Sequence, residues 1–325
     1  MKRGSDMVDF AAKAEGEELA PKSRKKQHPM KKRGLSRNRI IFLVCMLAIP
    51  LIHFCVFWIY VNFSGILLAF QTARGEWTLN NFVMFWDSLR NSTIGLALKN
   101  TLIYFLVNIL VIFPLGLLTS YFLYKKILCA RIFRTIFYLP SIISAVAYTG
   151  VFMEFVKPWG VVGIIAEAMG IDFPPEGLLG TSQTATWTIV AYCIWTNIGS
   201  NMLLFSGAMA RIPVDVLEAA KLEGCKPLQE VWYMIVPLIW PTLATMLILQ
   251  MTGLFSASGP VMLFTGGAYD TYTISYWIFT QTYGNGGGSG NYGLISAAGL
   301  FFTAIGLILV LSTKRLTDKL QSAEY

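Results

Sequence analysis

Six runs of mostly apolar residues, at about 40–63, 102–124, 135–156, 186–209, 236–258 and 292–313, divide this chain of 325 residues. Each is close to the roughly 20 residues that an α-helix needs to cross the hydrocarbon core of a bilayer. In that medium no water satisfies the backbone, so every N–H and C=O needs an internal partner and each run is driven to helix. Composition agrees, with 14% of residues charged against about a quarter in a soluble domain. The chain reads as an all-α integral membrane protein with six transmembrane helices. The fourth run is the most polar, with Thr186, Thr188, Thr196, Asn197, Ser200 and Asn201. Clear loops flank it, so it reads as a span whose polar groups face other helices.

The formal net charge of +8 is unevenly placed: residues 1–39 hold 12 Lys/Arg against 5 Asp/Glu, and the rest of the chain holds 14 against 13. The surplus is a basic tail, not a patch on a folded face, so a lipid surface is its expected partner, with RNA binding by the tail as the alternative. Such a tail suits anionic lipid headgroups beside the first span. The tail together with residues 125–134, 210–235 and 314–325 carries 22 Lys/Arg, whereas the alternate segments carry 4: Arg74, Arg90, Lys99 and Lys157. The positive-inside rule then places both termini in the cytoplasm. The first apolar run and its basic lead are too long for a cleavable signal peptide, so a retained span is expected. The organisation expected is a tail at 1–39, a six-span domain at 40–318 and a short tail at 319–325.

Resident chemistry is sparse. Cys45, Cys55, Cys129, Cys193 and Cys225 form no CxxC pair, and His28 and His53 stand 25 residues apart, so neither a metal site nor a disulfide framework is implied. Glu154 and Lys157 read as an interfacial ion pair. No span holds a deep carboxylate of the kind that ion-coupled carriers bury at mid-membrane. The stretch 284–293 is glycine-rich but lacks the GK[ST] ending of a phosphate loop, so it reads as a surface turn. Residues 64–95 are expected to hold a short amphipathic interfacial helix, and 158–185 an irregular loop. No catalytic residue and no cofactor is assigned to this chain.

The loop after the fourth run is the most informative stretch. Asp215 is expected to cap a short helix through Val216, Leu217, Glu218, Ala219, Ala220 and Leu222. Gly224 is a natural stop, because it has no Cβ to oppose a left-handed backbone. Pro227 suits the first turn of a second helix.

The spacing Glu218-Ala219-Ala220, then Gly224, then Met234, Val236 and Pro237 resembles the EAA loop of binding-protein-dependent ABC importer permeases. Ile212-Pro213 resembles the lead-in to that loop, and Asn100-Thr101 the NT start of the second span. Arg131 and Arg134 followed by Leu139-Pro140 resemble the family's R-x-x-R…LP segment. Leu263 to Gly267, with Thr271 and Tyr276, is similar to a segment of maltose-type and multiple-sugar permeases, although Ala268 stands where proline is usual.

The resemblance implies a type I ABC importer permease fold in a bacterial cytoplasmic membrane. It also implies partners: a second homologous permease forming a heterodimer, two cytoplasmic ATPase subunits that bind ATP and magnesium, and an extracytoplasmic solute-binding protein. The loop 211–237 would meet the ATPase, with Glu218, Ala219, Ala220 and Gly224 as coupling residues. Solute-path candidates are Tyr148, Thr196, Asn197, Asn201, Gln250, Gly253 and Ser256, uncharged positions that suit a neutral carbohydrate. Helix-to-helix hydrogen bonding is the competing role for these groups. A permease for a polyol phosphate, peptide or amino acid stays open, as does a non-transport membrane scaffold.

Overall fold

The structure is a computed structural model that describes residues 37–90, 92–255, 260–283 and 291–322. Residues 1–36 of the basic tail, Ser256 and most of the glycine-rich turn lie outside the described residues, while 37–39 already belong to the first helix. The chain separates into two compact units, Met1–Ile59 and Tyr60–Tyr325. Among the described residues the architecture is helical, with an isolated antiparallel bridge between Gln71 and Trp77.

Among the described residues four helices are long and apolar enough to cross a membrane: Arg37–Ala69, Thr93–Tyr124, Ala185–Met209 and Tyr292–Leu320. The third and fifth apolar runs are not straight helices. Ala130–Ile142 and Ala145–Phe155 meet at 112°, and Pro227–Leu238 and Trp240–Thr252 meet at 81°. Proline accounts for the second departure, because it withdraws a backbone donor and crowds the preceding turn. Pro140 lies in the last turn of its helix, after which Ile143 (ψ 148°) and Ser144 (ψ 129°) are extended. Pro237 and Pro241 flank the other break at Ile239. Hydropathy averages over such a bend and does not register it.

Helix crossings rest on small residues. A Cβ on Gly116 would stand 2.8 Å from Cβ of Asn201 and 3.4 Å from the Phe205 ring, so Thr93–Tyr124 approaches Ala185–Met209 closely there. A Cβ on Gly199 would overlap the carbonyl oxygen of Phe137, which brings Ala130–Ile142 against the same helix. Close approach through small residues is the usual way helices associate where lipid supplies no hydrophobic drive.

The amphipathic helix expected in 64–95 is Asn80–Arg90. Its buried Phe85 packs at 5.3 Å from Phe301 and 5.7 Å from Phe302. Asn81 donates through Nδ2 to the carbonyls of Ala69 (3.0 Å) and Gln71 (2.9 Å). The loop 158–185, expected to be irregular, contains the helix Val161–Ala168. Asn100 and Thr101 do not open the second span, since that helix begins at Thr93. They lie two turns inside and pin a distant loop. Asn100 Nδ2 donates to Asp270 O (2.7 Å) and Tyr272 O (2.9 Å), and Thr101 Oγ1 accepts from the Ile274 N–H (3.0 Å).

Candidate functional site

The loop after Met209 folds as a helix, a sharp turn and a second short helix. Its first helix is Val214–Leu222. Asp215 does not cap it: Pro213 occupies the cap position without a side-chain bond, and Asp215 lies in the first turn opposite Lys221 in the last. Both charges still complement the helix dipole. Gly224 adopts φ +74°. The Cys225 N–H reaches Ala220 O and the Gly224 N–H reaches Lys221 O, each at 3.1 Å. That pair of bonds is a Schellman termination, which needs a left-handed residue at the position glycine holds. Pro227 opens the second helix, Pro227–Glu230, as expected. A π-helical turn, Val231–Ile235, follows.

The first helix divides its residues between two faces. Leu217 (7% exposed) and Ala220 (4%) point inward. Leu217 joins a buried cluster with Leu117, Tyr121, Phe205, Met209, Ile212, Val231 and Ile235, drawn from three other elements. Glu218, Ala219 and Gly224 are exposed, and beside them Leu222 is 91% exposed. Of the four coupling candidates, Ala220 therefore faces the core and the other three face outward. The short helix thus shows a leucine on its outer side and is seated in the core on the other.

The solute-path candidates fall into two groups. Tyr148 is buried, with its ring centroid 4.7 Å from Trp195 and 5.7 Å from Tyr192. Phe264 and Phe152 extend this wall, at 4.9 and 5.1 Å from Tyr192. Tyr192 shares a 3.0 Å hydrogen bond with Thr149, whereas the buried hydroxyls of Tyr148 and Tyr104 have no partner. Such groups are costly in an apolar setting. On the same helix Thr196 Oγ1 donates to Tyr192 O (3.0 Å) and Asn197 Nδ2 to Cys193 O (2.8 Å). Asn201 Nδ2 donates to Asn197 O (3.2 Å), and its Cβ is held against Gly116 in the helix crossing. Asn197 remains exposed and Asn201 is buried.

The second group centres on Gln250, whose Oε1 accepts from Asn108 Nδ2 at 2.6 Å. Gly253 caps the helix Trp240–Thr252, its N–H within 3.2 Å of the Leu249 and Gln250 carbonyls. Sequence reasoning missed Asn108, Tyr104, Tyr192 and Trp195. Asn108 was findable as a lone amide in an apolar run, while the tyrosines carry no signal until the fold brings them together.

A model of the family described as binding-protein-dependent transport system inner membrane component matches residues 112–322. The multiple sugar-binding transport system permease protein MsmF of Streptococcus mutans is 26% identical over 280 residues, which covers 82% of this chain and 92% of that protein. The lactose transport system permease protein LacF of Rhizobium radiobacter is 29% identical over 237 residues, covering 70% and 78%. The polygalacturonan/rhamnogalacturonan transport system permease protein YteP of Bacillus subtilis is 27% identical over 290 residues, covering 86% and 88%. Among solved structures, a chain of a bacterial ABC transporter involved in import of the acidic polysaccharide alginate superposes with a TM-score of 0.75. It is 24% identical, and the match covers 87% of this chain and 96% of that one.

Proposed function

From the premise that this chain belongs to the family of binding-protein-dependent transport system inner membrane components, whose model matches more than half of it, we propose that it is the permease subunit of an ATP-driven carbohydrate importer. In this reading the four long helices and two bent pairs are six spans with both termini in the cytoplasm of a bacterium. A second, homologous permease completes the pathway as a heterodimer. Two ATPase subunits bind ATP and magnesium and meet the loop 211–237. An extracytoplasmic binding protein delivers an oligosaccharide, as the sugar-named relatives suggest. Hydrolysis takes place on the partners, and this chain supplies the moving path.

The observation that carries the reading is the divided helix Val214–Leu222. Its outward Glu218, Ala219 and Leu222 offer a partner surface, and its inward Leu217 ties that surface to the buried cluster among the helices. A push on one face is therefore felt by the spans. The aromatic wall of Tyr148, Tyr192 and Trp195 and the amides Asn108 and Gln250 supply uncharged hydrogen bonding and ring stacking, which suit hydroxylated rings. Purification from native membranes tests the reading. A second permease and an ATPase are expected to copurify, and the binding protein loaded with an oligosaccharide should stimulate ATP hydrolysis in proteoliposomes. Isolation of the chain with no ATPase would overturn it.

A further inference from the structure

Glu230 is the one charged side chain fully buried among the described residues, at 3% exposure. It ends the short helix Pro227–Glu230, the first turn of the bent pair Pro227–Leu238 and Trp240–Thr252. Its Oε2 accepts a hydrogen bond from the Tyr121 hydroxyl at 3.1 Å. Its Oε1 makes no aligned hydrogen bond and is balanced instead by the Lys125 ammonium at 2.5 Å. Lys125 Nζ in turn stands 5.7 Å from the centroid of the Tyr121 ring. The three side chains close a triangle. Tyr121 lies in the last turn of Thr93–Tyr124 and Lys125 is its C-cap, while the third corner belongs to the loop, more than 100 positions later.

The setting explains what such a triangle does. A buried charge is costly unless paired, and an apolar replacement of similar volume is often as stable as the pair. What an apolar contact lacks is register. Leu117, Phe205, Met209, Val231 and Ile235 share a buried cluster with Tyr121, and the attraction among such apolar groups is non-directional. A carboxylate that must meet both a fixed hydroxyl and an ammonium has one seat. Beyond Lys125 the backbone is also constrained, with Lys126 at φ 54° and Cys129 at φ 61°, so the lysine stem leaves a tight turn and not a loose end. In the other direction the same helix carries Asn108, about 20 Å along its axis at 1.5 Å per residue.

We propose that Tyr121, Lys125 and Glu230 form a clamp that makes the loop 211–230 and the end of the helix Thr93–Tyr124 move as one body. This proposal rests on the importer reading: displacement of the loop by the ATPase passes through the clamp to that helix, and along it to the Asn108–Gln250 contact. The three are positioning residues, acting on the path through the helix that they hold.

The test uses the full complex in proteoliposomes with its binding protein. Glu230→Gln, Lys125→Met and the apolar pair Lys125→Met with Glu230→Leu are expected to assemble and hydrolyse ATP. Solute moved per ATP should fall about fivefold or more, the low end of ordinary site-to-site coupling. Lys125→Arg, which keeps the charge, should retain the wild-type ratio. An apolar pair with the wild-type ratio would overturn the clamp, because a filling role survives that change and a register role does not. Hydrogen exchange on the full chain in nanodiscs gives a readout independent of any ATPase. Glu230→Gln should raise exchange in 119–128 and 214–230 together, and a rise in only one of them would overturn the clamp. Copurification of no ATPase with the wild-type chain, together with the paired rise in Glu230→Gln, would fail the importer reading and leave the clamp standing.

Discussion

The side chains of Asn108 and Gln250 meet at 2.6 Å, amide hydrogen to amide oxygen, and join the π-helical turn Asn108–Ile112 to the helix Trp240–Thr252. A π-helical turn shifts the register of the residues beyond it, and such turns recur at functional positions. A side-chain bond between spans averages about 0.6 kcal/mol, too little to hold two helices together. Asn108→Leu and Gln250→Leu are therefore expected to fold and to unfold within about 1 kcal/mol of the parent. Uptake of oligosaccharide should fall about tenfold, the effect of about 1.4 kcal/mol in solute contact. Uptake assays alongside thermal melts in nanodiscs separate the two, and normal uptake would assign the pair to helix packing alone.

Gly224 offers a clean backbone test. Nothing lies within 4 Å of a Cβ built there, yet its φ is +74°. Gly224→Ala should thus cost about 1–2 kcal/mol through conformation alone. Gly224→Asn should cost less, because asparagine tolerates the left-handed region. Gly224→Pro and Ala219→Trp are expected to abolish solute-stimulated ATP hydrolysis while membrane insertion persists. Comparing insertion, melting and stimulation across the four variants checks this order.

Crowding at the helix crossing gives the opposite kind of variant. A Cβ on Gly199 would overlap the Phe137 carbonyl, whereas one on Gly207, two turns later on the same helix, meets nothing within 4 Å. Gly199→Ala should destabilise by about 1–3 kcal/mol, as overpacking does, and Gly207→Ala should be near neutral. Melting curves of the two in detergent decide it.

Asn100 holds a strained loop. Its two bonds, to Asp270 O and Tyr272 O, fix a segment in which Tyr269 (φ 55°) and Asp270 (φ 58°) are both left-handed. Such residues cost about 1–3 kcal/mol each and persist only when neighbours determine them. Asn100→Ala is expected to release the loop, read as faster proteolysis within 265–273 at an unchanged helical signal.

Topology is open to chemical labelling. Leu222 (91% exposed) and Trp159 (69%) should lie on opposite sides of the membrane. In a cysteine-free background, Leu222→Cys should react with an impermeant maleimide only in inverted vesicles, and Trp159→Cys only in right-side-out ones. Bound ATPase should shield Leu222→Cys.

Much of this was legible in the sequence because hydropathy and glycine report local physics. The six apolar runs coincide with helices or bent pairs, and Gly224 and Pro227 mark the turn they predicted. The bends were not legible as angles, since Pro140, Pro237 and Pro241 announce a missing donor but not where the chain goes next. Partnership was least visible. Gln250 stood out as a polar residue, but nothing local points it to Asn108, 142 positions away. Asn100-Thr101 matched a family pattern, while its purpose lies in a loop 170 positions on.

The division of Val214–Leu222 has a consequence for how such subunits diversify. Within nine residues the positions that face outward and the positions that seat the helix in its own protein alternate. Recombination that imports the whole segment from another permease brings a foreign inner face along with the new outer one. Substitutions confined to Glu218, Ala219 and Leu222 change only the outer one. In the importer reading proposed above, a membrane path is then re-addressed to a different motor by point changes, without repacking its interior.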